Sequence, residues 1–180
     1  MRNKLLVLTG VILVSFAASA SGVAEVKVGW QNPEKFTDIR PASGSKKAYQ
    51  QRVITEFDKM WSEFAKQLPP GYKFDVVITD LDLAGDVEPM YSGYGAGRTM
   101  DDIRVVKDIY FPKIKLDYVL YDANNVEVAK ATGVKIKDMG FMHSGSLGYA
   151  SREFGYEKQM LEKWFTKEIL PKVQMTAANE

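Results

Sequence analysis

Asp80, Asp82, Asp86 and Glu88 crowd one short stretch, with Arg98 and Arg104 following. Carboxylates at such spacing can hold an oxygen-loving cation, work as a general acid–base pair, or pair with arginine and lysine as structural caps. Asp80-x-Asp82-x-Ala84-Gly85-Asp86 begins like the loop of a calcium hand. It departs with Ala84 at the third ligand position, Tyr91 where a bidentate glutamate belongs, and no preceding helix. A divalent cation held by Asp80 and Asp82 is the one cofactor this cluster would take, and no other cofactor is expected. Paired carboxylates make a metal-assisted envelope hydrolase the rival reading. In the structural reading the acids salt-bridge Arg98, Arg104 or Lys107 and cap the loop.

Two further segments resemble chemical motifs without completing them. Gly93-Tyr94-Gly95-Ala96-Gly97-Arg98 is rich in glycine but lacks the Gly-Lys-Ser/Thr ending of a phosphate loop. Tyr91 and Tyr94 beside Arg98 would suit the lining of a cleft. His143-Ser144-Gly145-Ser146-Leu147-Gly148 places Gly148 after Ser146, but Ser144 stands where a nucleophile elbow needs glycine. The chain has no cysteine and a single histidine, so disulfides, thiolate chemistry, cysteine zinc sites and poly-histidine metal sites are excluded.

The elements that must position these residues are readable from periodicity. Val26, Val28 and Trp30 alternate with polar neighbours, a strand stopped by Asn32-Pro33. Tyr49, Val53, Ile54, Phe57, Met60, Trp61, Phe64 and Leu68 form a helical stripe. Ser43 or Ser45 stands at its cap and Pro69-Pro70-Gly71 follows it. Phe74, Val76 and Ile78 alternate in a second strand. If that strand runs straight, Asp80 and Asp82 fall on its buried face, roughly 7 Å apart. Ionised carboxylates there are costly, so either they lie past the sheet edge or a bulge turns them outward. Ile114, Leu116, Tyr118 and Leu120 alternate with Lys113, Lys115 and Asp117. Asp122 to Asn125 is turn chemistry, and Val126 to Ile136 returns as the partner of a hairpin, with Gly133 marking a bulge or a close neighbour. A last helix over 152–169 puts Tyr156, Met160, Leu161, Trp164, Phe165 and Ile169 on one face, and Pro171 is expected to end it.

The expected fold is α+β, a two-layer sandwich with a mainly antiparallel sheet and two amphipathic helices on one face, in the order β-α-β-β-β-α. Residues 84–108 and 139–151 are expected to be irregular connections.

The ends of the chain complete the plan. Arg2 and Lys4, an apolar run from Leu5 to Ala17, and Ala18-Ser19-Ala20 have the form of a secretory signal over residues 1–20, with an alternative cleavage after Ala24. A single domain over 21–171 and a frayed tail over 172–180 follow. The expected location is the periplasm, with no stable membrane insertion after cleavage. Basic and acidic residues number 24 and 23, which argues against nucleic acid as a partner.

Several stretches, taken together and in order, carry a resemblance. They are Trp30-x-x-Pro33-x-x-Phe36-x-Asp38-Ile39-Arg40, Leu68-Pro69-x-Gly71, and Thr79-Asp80-Leu81-Asp82-Leu83-Ala84-Gly85 with Glu88-Pro89. Arg104-Val105-Val106-Lys107-Asp108-Ile109-Tyr110-x-Pro112-x-Ile114, Asp138-Met139-x-Phe141 and Tyr156-Glu157-Lys158-x-x-Leu161-x-x-Trp164 complete the set. In these the chain resembles a domain-of-unknown-function family of exported Gram-negative proteins, number three thousand and sixteen in that series. The resemblance implies an exported soluble domain and carries no activity, substrate or catalytic residue. The function expected is a periplasmic binding or accessory protein, its partner an envelope protein or a small ligand. Its candidate ligand-binding residues are Asp80, Asp82, Asp86, Glu88, Arg98 and Arg104, on an acidic strand end beneath a long loop; a purely structural role is the remaining alternative.

Overall fold

A computed structural model describes residues 22–92, 99–143 and 147–177. It is an α+β protein in which a four-stranded mixed sheet, ordered β1-β2-β5-β6, carries helices on one face, and a separate hairpin pairs β3 with β4. β1 (Glu25–Trp30) runs parallel to β2 (Lys73–Asp82), and the remaining neighbours are antiparallel. The parallel pair requires a crossover, supplied by α1 (Lys46–Ala65). Ser45 caps that helix by accepting a hydrogen bond from the Ala48 N–H, and the helix buries Val53, Phe57, Met60, Trp61 and Phe64.

The core lies between α1, the C-terminal helices and the inward face of β2 and β5 (Lys113–Tyr121). Phe74, Val76 and Ile78 interdigitate there with Ile114, Leu116, Tyr118 and Leu120. Trp61, Phe64, Phe74, Tyr118, Trp164 and Phe165 form a continuous aromatic mesh, with neighbouring ring centroids 5.6–6.3 Å apart.

Three expectations are corrected. Residues 84–108 are not one irregular connection. They hold β3 (Asp86–Ser92) and β4 (Thr99–Val105), whose pairing sets Val87 opposite Arg104 and Glu88 opposite Ile103. Pro89 and the crowded acids hide the strand pattern here, because a two-stranded ribbon does not need a buried face along its whole length. Residues 139–151 include a short helix, α2 (Leu147–Ala150). Pro171 does not end the last helix. α3 (Gly155–Trp164) passes into a π turn at Phe165–Ile169 and continues as α4 (Leu170–Ala177), where Val173 is buried. Proline lacks an N–H and its ring clashes with the carbonyl four residues back. The widened turn, in which the Leu170 N–H reaches the Phe165 carbonyl, accommodates both defects.

β5 and β6 (Glu127–Lys137) form the expected hairpin, closed by Asp122, which accepts from the backbone N–H groups of Asn124 and Val126. Gly133 sits at φ 64° where Asp117 faces an extra residue, and its N–H donates to the Asp117 carboxylate at 2.6 Å. This is the bulge reading of that glycine. No helix among the described residues is long and apolar enough to cross a membrane.

Candidate functional site

The site is built on a break in β2. Pairing with β5 runs regularly from Lys73 to Ile78, then shifts by one residue before Asp80. That irregularity reverses the phase of the strand: Leu81 and Leu83 become buried, while Asp80 and Asp82 turn to the open face of the sheet. The outward bulge, not a straight strand, resolves the conflict between two carboxylates and an apolar face.

On the open face the shifted register brings Asp80 opposite Lys115 and Asp82 opposite Lys113. Lys115 Nζ donates to Asp80 Oδ2 at 2.8 Å, and Lys113 Nζ donates to Asp82 Oδ2 at 2.7 Å. Beyond β1 the chain makes a 3-10 turn at Pro33–Lys35 and returns to β2 at Asp38, whose N–H donates to the Leu81 carbonyl. This return delivers Thr37, whose N–H and Oγ1 both donate to Asp80 Oδ1 at 2.9 Å. Partial burial alone pushes Asp80 upward, but Lys115 and Thr37 outweigh it and hold the carboxyl below its usual range.

Asp86 and Glu88 open the β3–β4 hairpin. Arg40 donates to Asp86 at 2.9 Å and lowers its pKa, helped by the Val87 N–H. Lys107 and the Tyr110 hydroxyl both reach Glu88, again holding the acid low. Arg104 turns the other way. Its guanidinium donates to Asp38 at 2.8 Å, to the Gly85 carbonyl at 3.0 Å and to the Arg40 carbonyl at 2.8 Å. Burial works against that charge, but Asp38 more than compensates, so Arg104 is a firmly protonated clamp between the hairpin and the β1–α1 connection.

Of the expected pairings, Lys107 with Glu88 is present, whereas Arg104 pairs with Asp38 and not with the named acids. Arg98 lies outside the described residues, as do Gly93, Tyr94, Ser144 and Ser146. His143 is exposed and faces Asp108 at 3.6 Å. No group of three or more acidic or histidine side chains among the described residues is placed to hold a metal ion.

Glu157, quoted in the resemblance but not named from the sequence as a site residue, completes the framework. It sits in the first turn of α3, only 2% exposed, and accepts a hydrogen bond from the Ala84 N–H at 2.7 Å. Burial pushes its carboxyl up, opposed by that N–H, its own N–H and the charge of Arg104. A glutamate in a first helical turn normally signals capping; nothing local in the sequence tells that it reaches a corner of the sheet. Thr37, Asp38, Arg40, Lys113 and Lys115 were likewise missed, because only the long-range register of β2 on β5 brings them to the acids.

A cleft of about 450 Å³ opens among these groups, lined by Thr37, Arg40, Asp82, Asp86, Tyr110 and Lys113. A smaller one of about 220 Å³ continues along the sheet past Asp80 and Lys115. Ile109 stands 69% exposed at the lip of the larger cleft. What this arrangement offers is a set of alternating charges, each already answered, around a polar hollow.

Four of the stretches that carried the family resemblance meet here, through Asp38 and Arg40, Asp80 to Gly85, Arg104 to Tyr110, and Glu157. No curated protein and no solved structure matches the chain. The model of a family described as protein of unknown function (DUF3016) matches residues 24–167, and the chain belongs to that family.

Proposed function

We propose that the protein is an exported binding or accessory protein of the periplasm, with the cleft between the β2 end and the β3–β4 hairpin as its contact surface. The observation that carries this reading is the set of partly exposed ion pairs around that hollow: Asp82 with Lys113, and Asp86 with Arg40, which also reaches Asp38 at 3.7 Å. Such pairs are worth little to stability when solvated. They can be exchanged for the charges of a ligand or a partner segment at small cost. Export rests on the Arg2 and Lys4 region, the apolar run and the Ala18-Ser19-Ala20 site.

An envelope hydrolase working through Asp80 and Asp82 has less support. General acid–base catalysis by two carboxylates needs one of them protonated near working pH. Asp80 is held low, and each of the two acids is tied to its own lysine.

Native mass spectrometry of the chain exported through its own leader tests the reading, on the wild type and on the Arg40→Gln/Asp82→Asn variant. The expected result is a chain beginning at Ser21 or Glu25 that carries a small molecule, or crosslinks to an envelope protein, and loses it in the variant. A bare mass and no crosslinked partner for the wild type overturns it. Turnover of an envelope ester, phosphate or glycan that Asp82→Asn abolishes at unchanged melting temperature replaces it with the hydrolase.

A further inference from the structure

The face of the sheet that the helices leave uncovered carries a compact array of lysines. Ile114, Leu116 and Ile136 point into the core, so their neighbours Lys113 and Lys115 on β5, and Lys135 and Lys137 on β6, stand on the open face. Register sets Lys113 opposite Lys137 and Lys115 opposite Lys135. The four positions form a rectangle, roughly 5 Å across the strands and 7 Å along them. Like charges facing across an antiparallel pair are destabilising. Asp82 and Asp80 answer Lys113 and Lys115 from the β2 side, whereas Lys135 and Lys137 have no ion pair among the described residues.

Apolar side chains continue the array past the ends of the two strands. The Asp138 N–H donates to the Pro112 carbonyl at 3.3 Å, which keeps the chains side by side one residue beyond Lys113 and Lys137. Lys113 Nζ sits 4.7 Å from the centroid of the Phe111 ring. Ile109 and Met139 follow, both exposed, Met139 by 63%. Asp108, the acid beside Ile109, faces His143 of the same corner at 3.6 Å. Large exposed apolar side chains rimmed by polar ones mark surfaces that meet a partner or a membrane.

The layout favours a membrane. An acidic polypeptide needs hollows for its side chains, and those that adjoin the array are lined by Asp80, Asp82 and Asp86, which repel it. A lipid surface is flat like an open sheet face. It offers phosphates to the lysines and an apolar layer beneath them for Ile109 and Met139. We infer that this corner of the sheet docks reversibly on an anionic phospholipid surface, the lysines meeting headgroup phosphates and Ile109 and Met139 entering the acyl boundary. The inference does not rest on the cleft proposed above. Lys135 and Lys137 lie outside the lining of that cleft, so failure here leaves the cleft reading standing.

The test is flotation of the chain exported through its own leader with vesicles of phosphatidylcholine alone and of phosphatidylcholine mixed with phosphatidylglycerol, with polyglutamate as competitor. The expected result is partitioning to the mixed vesicles only, weakened by salt and little affected by polyglutamate. Lys135→Gln/Lys137→Gln, both exposed, is expected to lower partitioning about tenfold or more at an unchanged melting temperature. Ile109→Ser/Met139→Ser keeps the charge and is expected to lower partitioning as well, again with the melting temperature of the parent. No partitioning to the mixed vesicles, or equal partitioning of the lysine variant, overturns the surface. Undiminished partitioning of Ile109→Ser/Met139→Ser, or full competition by polyglutamate, overturns the lipid assignment and leaves a charge-only face for an acidic polypeptide.

Discussion

Glu157 shows how one carboxyl can set both architecture and pH response. Its side chain ties the start of α3 to Ala84, where β2 ends and the β3–β4 hairpin begins. Because burial raises its pKa in the folded state, its contribution to stability is fully present below the ordinary glutamate pKa of 4.5 and is lost as pH rises through the raised value. Glu157→Gln keeps an acceptor for the Ala84 N–H and removes the titration. The expected outcome is a wild type that loses ground to Glu157→Gln as pH rises from the acid range, with the variant at least as stable at neutral pH. Thermal unfolding of both chains across that range checks this, and a constant difference would sink it. Asp80 and Asp86 act in the opposite sense. Their lowered pKa values give stability that is present above the ordinary aspartate range and lost as pH falls through the folded-state values.

At the scale of elements, close approaches of backbone decide which positions tolerate a side chain. A β-carbon at Gly155, where α3 begins, would lie 1.8 Å from the Tyr149 carbonyl oxygen of the α2 turn. No rotamer change relieves a clash with backbone, so Gly155→Ala must separate α2 from α3. At Gly133 the space is open and only the left-handed conformation at φ 64° resists a side chain. Gly155→Ala is therefore expected to cost about 3 kcal/mol, and Gly133→Ala, the smaller of the two, about 1–2 kcal/mol. Urea denaturation of the two variants measures both, and equal costs would contradict this packing of α2 on α3. The β2 bulge belongs to the same scale. A single extra residue moves Leu81 and Leu83 into the core and gives Asp80 and Asp82 to the open face.

Across the whole molecule, the four-stranded sheet ends at β1 and β6 among the described residues, and charged side chains on such an edge oppose its pairing with another chain. Lys130, Lys135 and Lys137 stud β6. Replacing Lys135 and Lys137 by valine raises strand propensity and removes that charge. The expected outcome is concentration-dependent oligomers under conditions where the parent chain gives none, read by sedimentation velocity. An unchanged distribution shows that the edge is protected by other means.

Apolar periodicity alone determined α1, the inward faces of β2 and β5, the β5–β6 hairpin and the aromatic face of α3, because these patterns are local and each serves one buried surface. It also exposed the conflict at Asp80 and Asp82, since a straight strand would have buried both. Only the tertiary structure decided how that conflict resolves. The partners Lys113, Lys115, Arg40, Asp38 and Thr37 come from segments distant in the chain, and register, not composition, chooses among them. The β3–β4 ribbon stayed hidden because it has little apolar alternation to display. The continuation past Pro171 stayed hidden for a related reason: a widened turn satisfies what a regular helix could not, and the packing of Phe165, Ile169 and Val173 makes that turn worthwhile.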